Sequence, residues 1–183
     1  QAHDRGRYHI TGYSANPRPD DVTARFQACT DEWRSLVGVS DEEAAGRIRE
    51  DRIDLLVDLS GHTAGNRLLV FARKPAPIQV SYLGYPGDAG LDMIDYCLTD
   101  PWADPPGAIG EHRAEQLVRL PETAWCFTPL SGDPPVGELP ATCHGYMTFG
   151  CFNNFAKVTD DMLQLWARIL QQVPRSRLAV KNV

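Results

Sequence analysis

The chain has 183 residues, 43% of them hydrophobic and 23% charged, with a formal net charge of −6. These are ordinary globular values, which exclude a disordered chain, and the acidic balance argues against a nucleic-acid backbone as partner. No run approaches the ~18–20 consecutive apolar residues of a membrane span, so no membrane partner is expected. Five cysteines (Cys29, Cys97, Cys126, Cys143 and Cys151) show no CxxC spacing. An odd count without metal-ligand spacing fits a reduced, cytoplasmic protein whose cysteines are small core residues. Gln1-Ala2-His3-Asp4-Arg5 carries no secretory pattern.

In chain order, Tyr8–Tyr13 alternates as a strand and ends in the turn-rich Ser14–Pro19. Asp20 or Asp21 caps a predicted helix whose stripe runs through Val22, Phe26, Cys29, Trp33 and Leu36, with Gly38 ending it. Ser40-Asp41-Glu42-Glu43 is a capping box, followed by Ala44, Ala45 and Ile48 on one side of a short helix. Two apolar strands follow, Ile53–Leu59 and Ile78–Leu83, separated by the amphipathic stretch Leu68–Arg73, which Pro75 and Pro77 stop. Met93–Leu98 is a further strand, and Leu117–Leu120 and Trp125–Leu130 are read as short strands that could pair. Residues 131–145 are rich in proline and glycine without periodicity, so they are read as a linker between domains at 1–130 and 146–183. Beyond it, strand Tyr146–Phe152, a polar turn and a helix capped by Thr159 or Asp160 lead into strand Leu178–Val180. The pattern predicts an α/β chain: most of one domain, then the opening strand–helix–strand of a second. Both ends are abrupt, and a segment of a longer protein is expected.

Chemistry gathers where the strands end. The first exit is Ser60-Gly61-His62-Thr63-Ala64-Gly65-Asn66-Arg67 and the second is Gly84-Tyr85-Pro86-Gly87. Open α/β sheets place ligands at such exits, and glycines permit close backbone approach. The alternative is a plain helix start, with Thr63 as cap and Arg67 solvated. His62 could serve as base, hydrogen-bond donor or solvent-facing ring. Asp58 is either buried with a partner or aimed along the sheet edge. Neither GxGxxG nor GxxxxGK[ST] occurs, so a standard dinucleotide or P-loop site is not supported. In the second domain Asn153-Asn154-Phe155-Ala156-Lys157 precedes a helix, where backbone N–H groups and an ammonium can converge on a phosphate. The alternative is a surface lysine before a cap.

Four segments in order carry a resemblance: Gly61-His62-Thr63-Ala64-Gly65, Arg73-Lys74-Pro75-Ala76-Pro77-Ile78-Gln79, Leu83-Gly84-Tyr85-Pro86-Gly87 and Asp95-Tyr96-Cys97-Leu98-Thr99-Asp100. With Thr148–Lys157 and Leu163–Leu170 they resemble the catalytic region of protein O-linked N-acetylglucosamine transferases and the related SPINDLY proteins. The resemblance implies a GT-B fold, two Rossmann-like domains with the active site in the cleft between them. This chain would supply most of the N-terminal catalytic domain and the beginning of the nucleotide-sugar-binding domain.

The implied activity is inverting transfer of N-acetylglucosamine from UDP-GlcNAc to Ser/Thr hydroxyls of proteins, without an essential metal or other cofactor. SPINDLY relatives use GDP-fucose instead. Helical TPR repeats usually precede the catalytic domains. The implied sites are Gly65, Leu83 and Gly84 against the sugar, Lys157 on the diphosphate, Asn154 near the phosphates, and His62 and Arg67 lining the first-domain face. Asn154 departs from the glutamine usual in the family. The family's catalytic-base candidate lies upstream of Gln1 and its uridine-binding residues beyond Val183, so the segment alone is expected to turn over little or no donor. Two other readings stand beside this one: an inactive remnant that binds a protein partner, and an unrelated flavodoxin-like domain.

Overall fold

The computed structural model describes residues 3–107, 113–127 and 132–181, and the chain divides into two units, Gln1–Phe127 and Thr128–Val183. The first unit opens with β1 (Thr11–Ser14), α1 (Asp21–Cys29) and β2 (Glu32–Ser35), the two strands pairing in parallel. Asp20 caps α1 in a reciprocal box with Thr23. The predicted helix through Leu36 is corrected here: it stops at Cys29, and Trp33 lies in β2. Thr30 folds its N–H and hydroxyl back onto the Gln27 carbonyl, while the Asp31 carboxylate accepts the Ile10 N–H at 2.8 Å. These bonds turn the chain out of the helix, and the Trp33 ring then packs where a Cβ on Gly12 would stand. The three- and four-residue spacing of Trp33 and Leu36 was a coincidence of two elements in series.

Ser40 caps α2 (Asp41–Glu50), accepting the Glu43 N–H at 3.2 Å. Its first turn is acidic and its last carries Arg47 and Arg49, as the helix dipole favours. Ala44, Ala45 and Ile48 are buried in the core with Leu56, Leu68, Val70 and Phe71. The sheet is β3 (Leu55–Asp58), β4 (Ile78–Tyr82), β5 (Tyr96–Thr99) and β6 (Gln116–Arg119), in that order and all parallel. The four-residue α3 (Leu68–Phe71) crosses between β3 and β4. Leu117–Leu120 thus pairs in parallel with β5 rather than with the stretch after it. Of the predicted strand Trp125–Leu130, residues 125–127 are irregular and 128–130 lie outside the described residues.

Period-two alternation assigns Leu56, Asp58, Gln79, Ser81, Cys97 and Thr99 to one face of this sheet. The α2–α3 core lies on that side, yet polar residues occupy much of it. Gln79 is fully buried, and its side-chain amide donates to the carbonyls of Phe71 (2.9 Å) and Met93 (2.7 Å). Asp95 accepts the Gln79 backbone N–H and the Lys74 ammonium. These bonds tie the end of α3 to β4 and satisfy the Gln79 amide nitrogen, while its Oε1 stays buried without a hydrogen-bond partner.

Asp100, 1% exposed, is the other hub. Its carboxylate accepts N–H bonds from Ala124 (2.8 Å), Ala103 (2.8 Å) and Trp102 (2.9 Å) and the Thr123 hydroxyl. These bonds, that from Ala124 foremost, hold its carboxyl below the usual carboxylate range. A depressed folded value contributes stability above the unfolded pKa of about 3.9, lost as pH falls through the folded value. Asp100→Asn is therefore expected to lower Tm at neutral pH, with the two Tm-against-pH curves converging in acid below about pH 4. Curves that stay parallel there would contradict this role.

In the second unit α4 (Pro140–His144) has proline in its first turn and ends on left-handed Gly145. The stretch read as linker therefore carries a short helix. Parallel β7 (Thr148–Cys151) and β8 (Arg177–Val180) flank α5 (Asp160–Gln172), whose Thr159 cap accepts the Met162 N–H.

Candidate functional site

At the carboxyl end of β3, Asp58 is 5% exposed and its carboxylate accepts the N–H groups of Ser60 (3.0 Å) and Gly61 (2.9 Å). This settles the two readings of Asp58 in favour of burial with partners: it shapes the first exit from within. Thr63 turns its hydroxyl to the Ser60 carbonyl at 2.8 Å, closing a turn rather than capping a helix. Gly61 sits at φ +53°, and a Cβ there would stand 2.4 Å from Cβ of Tyr85 on the second exit.

The second exit is drawn equally close. A Cβ on Gly84 would lie 2.4 Å from the Leu59 carbonyl oxygen and 2.5 Å from the Ser60 nitrogen, both backbone atoms. Leu83 itself adopts φ +63°, a left-handed conformation that costs a branched side chain of this size about 1–3 kcal/mol. Strain of that kind marks a turn held by its surroundings. A small recess lies between the exits, lined by Asp58, Gly61, His62, Ser81, Gly84 and Tyr85 among others.

His62 stands edge-on to the Tyr85 ring, centroids 5.3 Å apart at 78°. Its Nε2 lies 3.2 Å from the Asp88 carbonyl oxygen, which can only accept, so that nitrogen carries a proton. Gly65 adopts φ +76° with no atom within 4 Å of a built Cβ, leaving its backbone approachable. Arg67 has a different engagement. Its Nε meets Asp41 at 2.7 Å, and its two terminal nitrogens donate to the Leu36 (3.3 Å) and Val39 (2.9 Å) carbonyls. The guanidinium thus clamps the β2–α2 connection with three of its five N–H donors.

In the second unit Asn154 caps a single 3₁₀ turn, Phe155–Lys157, its Oδ1 accepting the Ala156 N–H at 3.0 Å. Lys157 ends that turn three residues before α5, exposed, and its ammonium has no hydrogen bond or ion pair among the described residues. Among the described residues no group of three His, Cys, Asp or Glu is placed to hold a metal ion, and no helix is long and apolar enough to cross a membrane. The buried hub Glu115 escaped the sequence reading and Asp100 entered it only as the last residue of a family segment, while Asp58 left a signal as a carboxylate interrupting an apolar strand.

Fold and site together define a class: α/β proteins whose parallel strands empty into closely packed small-residue turns, with a second strand–helix–strand unit after them. Residues 1–128 match glycosyl transferase family 41, and the chain belongs to that family. It is 45% identical to the Petunia hybrida protein named "Probable UDP-N-acetylglucosamine--peptide N-acetylglucosaminyltransferase SPINDLY", over 98% of this chain and 20% of that protein. The Arabidopsis thaliana relative of the name ending in SEC is 30% identical over 96% of this chain and 19% of its own length. The chain thus spans about a fifth of the relatives it matches. A solved lysine-to-methionine mutant of the Thermobaculum terrenum O-GlcNAc transferase superposes with a TM-score of 0.88 at 39% identity, covering 98% of this chain and 34% of that one. The fold is accordingly α/β of the GT-B class.

Proposed function

We propose that this chain is a segment of an inverting glycosyltransferase that moves N-acetylglucosamine from UDP-GlcNAc to Ser/Thr hydroxyls of proteins, needing neither metal nor other cofactor, in the cytoplasm. The observation that carries the reading is the paired strand exits of the first unit, where Gly84 and Gly61 bring two turns into contact that no Cβ would permit. A sugar ring can lie against such a backbone-lined wall, and the names of the relatives point to N-acetylglucosamine as that sugar. In this reading Gly65 and Leu83-Gly84 lie against the sugar, with His62 as a lining residue. His62 is kept as a lining residue, its ring held against the second exit by the Nε2 bond to the Asp88 carbonyl. The base is assigned to a residue outside this chain.

Lys157 supplies positive charge to the diphosphate as the nucleotide leaves, an electrostatic contribution aimed at charge that grows in the transition state. Asn154 keeps its side-chain nitrogen for a phosphate oxygen, because its Oδ1 is taken by the Ala156 N–H. Arg67 lines the first-domain face with the two N–H donors that its bonds to Asp41, Leu36 and Val39 leave free. A second reading, GDP-fucose as donor, rests on the resemblance to SPINDLY proteins, although the names of the SPINDLY and SEC relatives both give UDP-N-acetylglucosamine. The test is to offer the full-length protein both nucleotide sugars with protein acceptors. N-acetylglucosamine transfer is expected; fucose transfer alone replaces it with the second reading. Transfer of neither sugar would leave a protein-binding module.

A further inference from the structure

Behind the second exit lies a buried carboxylate that the scheme above does not use. Glu115, just before β6, is 4% exposed, and its side chain is wholly buried. Its Oε1 accepts the Ala89 N–H at 3.0 Å and the Ser81 hydroxyl at 3.4 Å. Its Oε2 makes no hydrogen bond and has only the Arg113 guanidinium, 3.5 Å away. Arg113 also meets Asp104 at 3.4 Å, so it is not Glu115's alone.

Ser81 lies at the end of β4 and Ala89 in the loop that follows the second exit, so one oxygen grips both sides of the turn 82–88. The neighbouring Asp88 completes the attachment: its carbonyl takes the His62 ring, and its carboxylate accepts the Ala114 N–H at 3.3 Å. Burial pushes the Glu115 carboxyl upward, and the charge of Asp88 pushes it the same way against the Ala89 bond, Arg113 and Ser81. A carboxylate kept in so costly a place, with one oxygen orphaned, has its use in the bond it does make.

We infer that Glu115 is a positioning residue for sugar recognition: by accepting the Ala89 N–H from beneath, it holds the Leu83–Ala89 loop in the conformation that faces the donor sugar. The inference rests on the sugar-side role proposed for that loop. The anchoring rests on reach and acceptor capacity at the first oxygen; the second oxygen has only its 3.5 Å ion pair with an Arg113 that Asp104 shares.

Three variants of the full-length protein separate these properties. Glu115→Met keeps the volume without an acceptor, Glu115→Asp keeps the charge one methylene short, and Glu115→Gln keeps both reach and acceptor. Hydrogen exchange at residues 88–90 is expected to speed up about tenfold in Glu115→Met and Glu115→Asp, the loss of one hydrogen bond to a carboxylate, with Glu115→Gln near wild type. KM for the nucleotide sugar is expected to rise by a similar factor of about ten, while Kd for the free nucleoside diphosphate stays within about twofold. Unchanged exchange at 88–90 in Glu115→Asp overturns the inference, and so does an equal loss of diphosphate affinity, which a general loss of stability would cause. Should Glu115→Met not fold, the Asp–Gln contrast decides alone. If the wild type turns over neither nucleotide sugar yet the loop still loosens in Glu115→Asp, the anchor stands and the donor reading falls.

Discussion

Replacing Lys157 with alanine in the full-length protein is expected to lower kcat/KM by about 30- to 1000-fold and leave Tm unchanged. The factor corresponds to roughly 2–4 kcal/mol, the loss of a charge-assisted contact to a leaving diphosphate. The unchanged Tm follows from the structure. Lys157 is exposed at the end of a 3₁₀ turn that is closed by Asn154 and by backbone bonds from Lys157 and Val158, none of which needs the ammonium. Parallel measurement of turnover and thermal unfolding checks both halves. A wild-type kcat/KM would remove Lys157 from the site, and a large fall in Tm would make the effect structural.

Gly84→Ala should fail in the opposite way, through the fold. The new methyl would stand 2.4 Å from the Leu59 oxygen and 2.5 Å from both the Leu59 carbon and the Ser60 nitrogen. No rotamer relieves a clash with backbone, so the two exits must part. Overpacking of this kind costs typically about 1–3 kcal/mol, and more when main chain is involved. The same parting widens the recess between Asp58, His62 and Tyr85, so sugar turnover is expected to vanish even in protein that remains folded. Gly65→Ala is the informative control. It meets no atom within 4 Å, and only its φ of +76° resists, at about 1–2 kcal/mol. Denaturant unfolding of the two variants should rank Gly84→Ala well below Gly65→Ala. Equal stabilities would mean that the exits are not in contact.

Much of the chain was legible locally. The capping box at Ser40, the buried Ala44, Ala45 and Ile48, the strands at 55–58, 78–82 and 96–99, and the helix behind Thr159 all follow from spacing and caps within a few residues. The order of four short segments, three of them bearing glycine or proline, together with Thr148–Lys157 and Leu163–Leu170, was enough to indicate the family. Where local pattern misled, at Trp33 and in the linker, a turn lay where the periodicity ran on unbroken, or a short helix lay where proline and glycine hid it.

The amino-acid sequence by itself therefore determined the α/β class, the order of elements and the placing of small-residue turns at strand ends, because helix caps, strand periods and glycine turns are short-range interactions. Only the tertiary structure decided what the polar residues of those segments do. Arg67 reaches Asp41 across 26 residues, Gln79 reaches Met93 across 14, Glu115 reaches Ala89 across 26 and Asp100 reaches Ala124 across 24. Gln79 and Asp100, which stand in the segments that mark the family, thus bind the scaffold together through buried hydrogen bonds. A buried polar group takes whichever partner the fold brings within about 3 Å, and that partner has no fixed distance along the chain.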